Sequence, residues 1–392
     1  MIKGDGILID NKKVAGIVCE YNPFHNGHKY HIEETKKHTG CEYVICAMSG
    51  SMVQRGEIAI CDKWQRAASA IKNGADLVVE IPAYYVLQSA ENYAFGSVAL
   101  INALGIVDTL SFGSESGDID KLCSTADILT TEPAEYSASL NKAMDRGLSY
   151  PAACEVALRE CMKSDFSFTP NDILAVNYIK ALNALKSNIV PCPIRRTTDY
   201  HSDYARSDMA SATAVRNMIN KGENITDYVP EVPTSTYDMS ALSSLVLGFF
   251  RTADADKLSD IIGMEEGLSN RLISCAKSAA DYESFVNACI TKRYTRHRIQ
   301  RVIMCCLLGL RGRRTMDYIR ILAMNHKGRE LLGAIKENTT LTPVTKTADF
   351  TPSEDSMFAY DILATDIAAL CSDDINLRGA SKDYTTSPYV QK

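Results

Sequence analysis

The chain lacks several features that would have settled its class at once. No uninterrupted apolar run approaches the roughly 18 residues that a membrane-spanning helix requires; the longest, residues 302–310, is nine. There is no C-x-x-C pair, so the thirteen cysteines do not assemble a zinc pattern around the one histidine cluster, His25, His28 and His31. Scattered cysteines in a chain this long read as small buried apolar residues of a reducing compartment, and no metal-ligating set is expected. No internal repeat and no low-complexity segment is present. Residues 1–13 carry Lys3, Asp5 and Asp10 and lack the apolar core and cleavage site of a signal peptide. A cytoplasmic address without membrane association is therefore expected.

What is present describes an ordinary globular protein: 392 residues, 46% hydrophobic, 23% charged, with a formal net charge of −6. Single cores stop growing at about 250 to 300 residues, so two domains are expected. The charge is unevenly spread. Residues 291–330 hold eleven basic and two acidic side chains, a local net of +9, and the rest of the chain carries −15. An acidic total excludes a polyanion-binding surface over the whole molecule but not a local one.

The first half alternates β-branched runs with helical patterns, the signature of a parallel sheet with crossover helices. Strands are expected at 13–19, 42–48, 76–81 and 107–112, with a fifth at 188–195. Helices are expected from Gly27 to a stop at Gly40, from Asp62 (with Gln65 at capping-box spacing) to Gly74, over 89–104, and near 211–221. Residues 118–185 read helical, interrupted by Pro133, Pro151 and Pro170. The best linker is 228–236, with Pro230 and Pro233. The fold class expected is α/β, a Rossmann-like doubly wound parallel sheet, followed by an all-α C-terminal domain. The expected domains are 1–228 and 234–392, the second mostly helical. Ile299, Val302, Ile303, Cys306, Leu307 and Leu310 form one apolar helical face, which turns Arg298 and Arg301 outward. The tail after Ala380 reads as polar and loosely held.

The stretch with most chemistry lies between the first strand and the first helix, where an open α/β sheet binds ligands and a helix N-terminus attracts phosphate. His25 and His28 stand three apart around Gly27, which lets backbone approach a phosphate. Two imidazoles there can donate hydrogen bonds to charge developing on a transferring phosphoryl group. Taken alone, the pair is also compatible with a solvated helix cap. Likewise Ser211 and Arg216 in SATAVR suit departing phosphates, or form an N-cap and a surface arginine.

Together and in this order, HNGH and SATAVR resemble the H-x-G-H signature and the Ser/Thr-rich second motif of the nucleotidylyltransferase superfamily. EYNPFHNGH (20–28), MSGSMVQRGEIAICDKWQRA (48–67), NGADLVVEIP (73–82), SFGSESGD (111–118), PNDILAVNYIKAL (170–182) and ASATAVR (210–216) resemble the bacterial tRNA(Met) cytidine acetate ligase family. The resemblance is dense over about residues 14–220 and thinner over 293–301 and 318–332. It implies a two-step reaction, in which acetate and ATP, with Mg2+, give acetyl-adenylate and pyrophosphate. The acetyl group then passes to N4 of the wobble cytidine of elongator tRNA(Met), and no protein partner is implied.

Carried over residue by residue, the resemblance implies catalytic roles for His25, His28, Ser211 and Arg216. It implies an ATP site of Val18, Cys19, Glu20, Tyr21, Asn22, Pro23, Phe24, His25, Asn26, Gly27, His28, Lys29, Tyr30 and His31, with Gly113, Asn171 and either Arg195 or Arg196. The family usually has a glycine-containing turn between that arginine and a Tyr-His pair, whereas Thr197, Thr198 and Asp199 precede Tyr200 and His201 here. Both arginines therefore stay open.

The phosphates of a tRNA require a positive surface, and an anticodon base can be splayed into a pocket. Lys292, Arg293, Arg296, Arg298 and Arg301 are the candidate tRNA contacts; a solvated helix face is the other reading. Gln54, Arg55 and Glu57 either line an acetate or cytidine pocket or brace their loop, while Asp62, Lys63 and Trp64 read as a helix start with Trp64 as packing. Two other functions fit the motifs. One is a small-molecule adenylyltransferase, although such enzymes are about half this length; the other is an RNA-binding relative without catalysis.

Overall fold

A computed structural model describes residues 12–163, 169–196, 209–265 and 267–392. Residues 197–208, including Tyr200 and His201, lie outside the described residues. Five parallel strands form most of the sheet: β1 (Val14–Cys19), β2 (Tyr43–Ser49), β5 (Leu77–Ile81), β6 (Thr109–Ser114) and β7 (Val190–Arg195). Between β2 and β5 the short strands β3 (Met52–Val53) and β4 (Glu57–Ile58) make an antiparallel hairpin. Three later strands join the sheet: β8 (Tyr318–Met324), β9 (Thr342–Val344) and β10 (Tyr389–Val390). The order is β10-β8-β5-β2-β1-β6-β7, with β9 on β8. The direction of winding reverses between β1 and β6, and the crevice at their C-terminal ends is the ligand position of a doubly wound sheet.

The central strands are apolar on both faces because both are covered. On one face Ile45, Ala47, Leu77 and Val79 pack with Val98 and Ile101 of the Ala90–Ala103 helix and Val176 and Ile179 of the Pro170–Ala184 helix. On the other, Ala15, Ile17, Val44 and Cys46 meet Ile32 of the Asn26–Thr39 helix and Ala67 and Ile71 of the Lys63–Lys72 helix. The expected stops are in place. Gly40 ends the first helix at φ 64°, a left-handed conformation that glycine adopts without strain. Asp62 caps the next helix by accepting from the Gln65 backbone N–H at 2.8 Å. Pro133, Pro151 and Pro170 fall at the starts of three helices, where a missing N–H costs nothing.

The C-terminal part is rich in helices, with Phe250, Leu272, Phe285, Ile299 and Ile303 in a shared core that also takes in Met52 and Ile58 of the hairpin. It is not all-α. β8 lies antiparallel to β5, and β9 and β10 lie parallel to β8. A fully buried strand has no alternation, so YIRILAM cannot be told by periodicity from the helices around it. The tail is held rather than loose. The Gln391 N–H donates to the Met324 carbonyl at 2.9 Å, and Asp383, only 3% exposed, accepts from Lys63 at 2.9 Å. Lys63 also donates to both oxygens of Glu80, and Arg320 lies 3.5 Å from the Asp383 carboxylate. Thus Lys63 starts its helix as expected but points into a buried ionic cluster.

Candidate nucleotide-binding site

The loop after β1 is fixed by its own side chains. Tyr21 and Phe24 are buried with ring centroids 4.8 Å apart, and Asn22 Oδ1 accepts from the Ile60 N–H at 2.7 Å. His25 then caps the first helix: its Nδ1 accepts from the Gly27 N–H at 3.1 Å, while His28 Nδ1 accepts from the His25 N–H at 3.2 Å. The two rings stack with centroids 3.7 Å apart. A Cβ on Gly27 would lie 2.9 Å from His25 Cε1, so glycine here makes room for the ring as well as for a ligand.

These hydrogen bonds assign the neutral tautomer. With Nδ1 accepting, the proton sits on Nε2, so both rings keep an N–H for a ligand. Burial pushes His25 down to about 4, with Arg196 and Arg216 adding to it. His28 is held well below its usual range by burial, then by His25, His31 and Arg196. His31 is lowered to about 4 by burial and Arg196, and its Nε2 is engaged with Ser111 Oγ of β6 at 3.1 Å. All three rings are therefore neutral hydrogen-bonding groups near pH 7 rather than cations.

Across the crevice, Gly113 and Ser114 end β6. Glu115 accepts from Thr169 Oγ1 at 2.7 Å and from the Asn171 side-chain amide, and Asp172 accepts from Ser114 Oγ and the Glu115 N–H. Arg196 reaches Asn171 Oδ1 at 3.5 Å and lies over Gly113, where a Cβ would meet its Cγ at 3.5 Å. Arg195 turns the other way, against Gly117. Adjacent residues of an extended chain point to opposite sides, so Arg196 is the arginine that shares the crevice with Gly113, Asn171 and the histidines.

Ser211 caps the Ala212–Asn220 helix through the Ala214 N–H at 3.2 Å. From that helix Arg216 donates to the Asn22 carbonyl at 2.7 Å and to Thr213 Oγ1 at 3.2 Å, which brings SATAVR onto the HNGH loop. Asn26 is committed elsewhere, its N–H to the Tyr228 carbonyl and its amide to the Asp227 carbonyl. Val18 and Cys19 are the end of β1, Lys29 is exposed, and Tyr30 is half-buried. Glu20 Oε1 accepts from the Gln54 N–H at 2.7 Å. Arg66, 1% exposed, escaped the reading of the sequence. It donates to the carbonyls of Glu20 at 2.7 Å and Ser49 at 3.0 Å, tying the ends of β1 and β2 together. Its only signal was an arginine on the same helix face as Ala67 and Ala70.

The basic segment is partly spoken for. Arg296 pairs with Glu283, Arg293 and Arg298 both pair with Glu265, and the last two also lie over the Tyr294 ring. Lys292 is exposed. Arg301, expected outward, is half-buried and donates to the Gln54 carbonyl at 3.4 Å. The reason is Gly56, at φ 80° in the hairpin turn: a Cβ there would come within 2.3 Å of the Arg301 backbone nitrogen, so the missing side chain lets the hairpin lie on the Arg296–Leu308 helix. Gln300 of that helix also reaches Glu57, at 3.4 Å.

A family model described as HIGH Nucleotidyl Transferase matches residues 12–383. A protein of Acetivibrio thermocellus named tRNA(Met) cytidine acetate ligase is 36% identical over 95% of this chain and 98% of its own length. The chain belongs to the tRNA(Met) cytidine acetate ligase family of HIGH nucleotidyl transferases. Another member, from Caldanaerobacter subterraneus, is 38% identical over 91% of this chain and 95% of its own. The family fold extends to solved structures. The crystal structure of Thermotoga maritima TmcAL bound with alpha-thio ATP has 30% identity and a TM-score of 0.84, covering 96% of this chain and 99% of that one. Its apo form gives 31% and 0.85.

Proposed function

We propose that this protein activates acetate with ATP, releasing pyrophosphate, and transfers the acetyl group to N4 of the wobble cytidine of elongator tRNA(Met). The observation that carries this reading is the pair of neutral, stacked histidines at a helix N-terminus, joined by Arg216 from one side and faced by Arg196 from the other. An acetate oxygen attacks the α-phosphorus in line, a new P–O bond forms, and the bond to pyrophosphate breaks. Such a step needs positioning and charge neutralisation more than covalent help. The Nε2–H groups of His25 and His28 donate to phosphate oxygens, and Arg216 and Arg196 balance the charge of the leaving group. Ser211, Gly113 and Asn171 complete the ATP site. The names of the relatives and the ATP analogue in the Thermotoga maritima structure support this reading.

Magnesium, when bound, would supply charge neutralisation at the phosphates of the nucleotide. Among the described residues no group of three or more His, Cys, Asp or Glu side chains could hold a metal ion; an ion carried by ATP would keep water and phosphate oxygens as ligands. The tRNA is taken on the face that carries Lys292, Arg293, Arg296 and Arg298. A cytoplasmic address fits the thirteen free cysteines; no helix among the described residues is long and apolar enough to cross a membrane. The test is ATP–pyrophosphate exchange in the presence and absence of acetate. Exchange that requires acetate is expected, and exchange indifferent to acetate would move the reading to another adenylyl acceptor.

A further inference from the structure

Acetyl transfer to cytidine needs a proton acceptor. The N4 lone pair is delocalised into the ring, so the amine must lose a proton as its bond to the acetyl carbon forms. The histidines are poorly placed to accept one: Nδ1 of His25 and of His28 each already accepts a backbone N–H, and His31 Nε2 is engaged with Ser111. Across the crevice both Glu115 oxygens are occupied by Thr169, Asn171 and the Asp172 N–H, and Asp172 holds Ser114 and the N–H groups of Glu115 and Ser116.

Glu20 differs. It follows β1 directly, two residues before Asn22, whose carbonyl holds Arg216. Its backbone carbonyl is fixed by Arg66, and its Oε1 by the Gln54 N–H. Among the described residues no donor reaches Oε2. The hairpin that holds this carboxylate lies with its turn on the Arg296–Leu308 helix, through Gly56 against Arg301 and Glu57 against Gln300. Glu20 thus stands where one turn joins the nucleotide loop to the basic helix.

From this arrangement the geometry points to Glu20 as the general base of the second half-reaction, an assignment that rests on the acetyl-transfer reading above. N4 attacks the carbonyl carbon of acetyl-adenylate and the C–N bond forms. The tetrahedral intermediate collapses, the bond from carbon to the phosphate oxygen breaks, and AMP leaves with the electron pair. The N4 proton passes to Glu20 Oε2, so that acetylated cytidine, AMP and one proton are produced. The groups facing this carboxylate are Arg216, Arg66 and Arg55, which favour its charge, and Tyr93 and Tyr178, which burial keeps protonated. Burial outweighs the arginines and raises Glu20 above its ordinary 4.5, which makes it a stronger base than a surface carboxylate.

The test compares Glu20→Gln and Glu20→Asp with wild type in two assays: acetate-dependent ATP–pyrophosphate exchange, and single-turnover acetyl transfer to tRNA(Met). For Glu20→Gln, transfer should fall by about 100-fold or more and by at least about tenfold more than exchange, with acetyl-adenylate accumulating. Glu20→Asp should recover part of the loss. Wild-type transfer should rise with pH on an acidic limb above 4.5 that Glu20→Gln lacks. Equal losses in both assays would overturn the assignment and leave Glu20 in the ATP site, and transfer at the wild-type rate would overturn it outright. Failure of wild type to exchange at all would instead sink the acetate reading beneath it, and this assignment with it.

Discussion

The three neutral histidines make the stability of the fold depend on pH in a way that can be worked out. In the unfolded chain His25 titrates near 6.5, and in the folded protein near 4. A depressed histidine means that the folded state binds the proton less well, so its stabilisation is complete above 6.5 and is lost as pH falls towards 4. The whole displacement is worth about 3 kcal/mol; by about pH 5 about 2 kcal/mol of it is gone. His31, lowered to the same value, contributes a similar amount. Urea denaturation of wild type and of His25→Gln at about pH 7.5 and pH 5 isolates the contribution, because the remaining carboxylates cancel in the difference. The variant is expected to lose about 2 kcal/mol less than wild type between the two conditions. Burial is the largest cause, ahead of Arg196 and Arg216, so most of the effect should survive about 0.5 M salt, which screens only exposed charge. Equal pH dependence in the two proteins would mean that His25 is solvated and cationic at mildly acid pH. The two rings would then not be the neutral Nε2–H donors assigned to the site.

Two further outcomes are expected. Lys63→Met leaves Glu80 and Asp383 with one cation fewer in a buried cluster, which should cost about 3–5 kcal/mol by urea denaturation; adding Asp383→Asn should recover part of it, and a loss below about 1 kcal/mol would show that the cluster is hydrated. Glu265→Gln releases Arg293 and Arg298 from their shared partner. It should strengthen tRNA binding several-fold at low salt and steepen the salt dependence by up to about two counterions, and an unchanged filter-binding curve would put the RNA surface elsewhere.

Much of the architecture was legible because it is local. The strands of the parallel sheet, the caps at Asp62 and Ser211, the stop at Gly40 and the proline-started helices all follow from patterns spanning a few residues. The HNGH loop was legible for the same reason: its histidines hydrogen-bond within four positions of one another. What escaped depends on contacts that close only in three dimensions. Lys63 meets Asp383 across 320 positions, so neither the burial of the lysine nor the docking of the tail is written near either residue. Arg301 has the spacing of an outward residue on an amphipathic helix, yet a glycine some 250 positions earlier brings a hairpin against it. Arg195 and Arg196 could be separated only once Gly113 and Gly117 were in view on either side.

The chemistry of the product is read most directly by mass spectrometry of tRNA(Met) incubated with the protein, ATP and isotopically labelled acetate. One labelled acetyl group is expected on the wobble cytidine, with AMP and pyrophosphate released in equal amounts. A tRNA that stays unlabelled while the protein is folded and binds ATP, or a label on any other nucleotide, would contradict it.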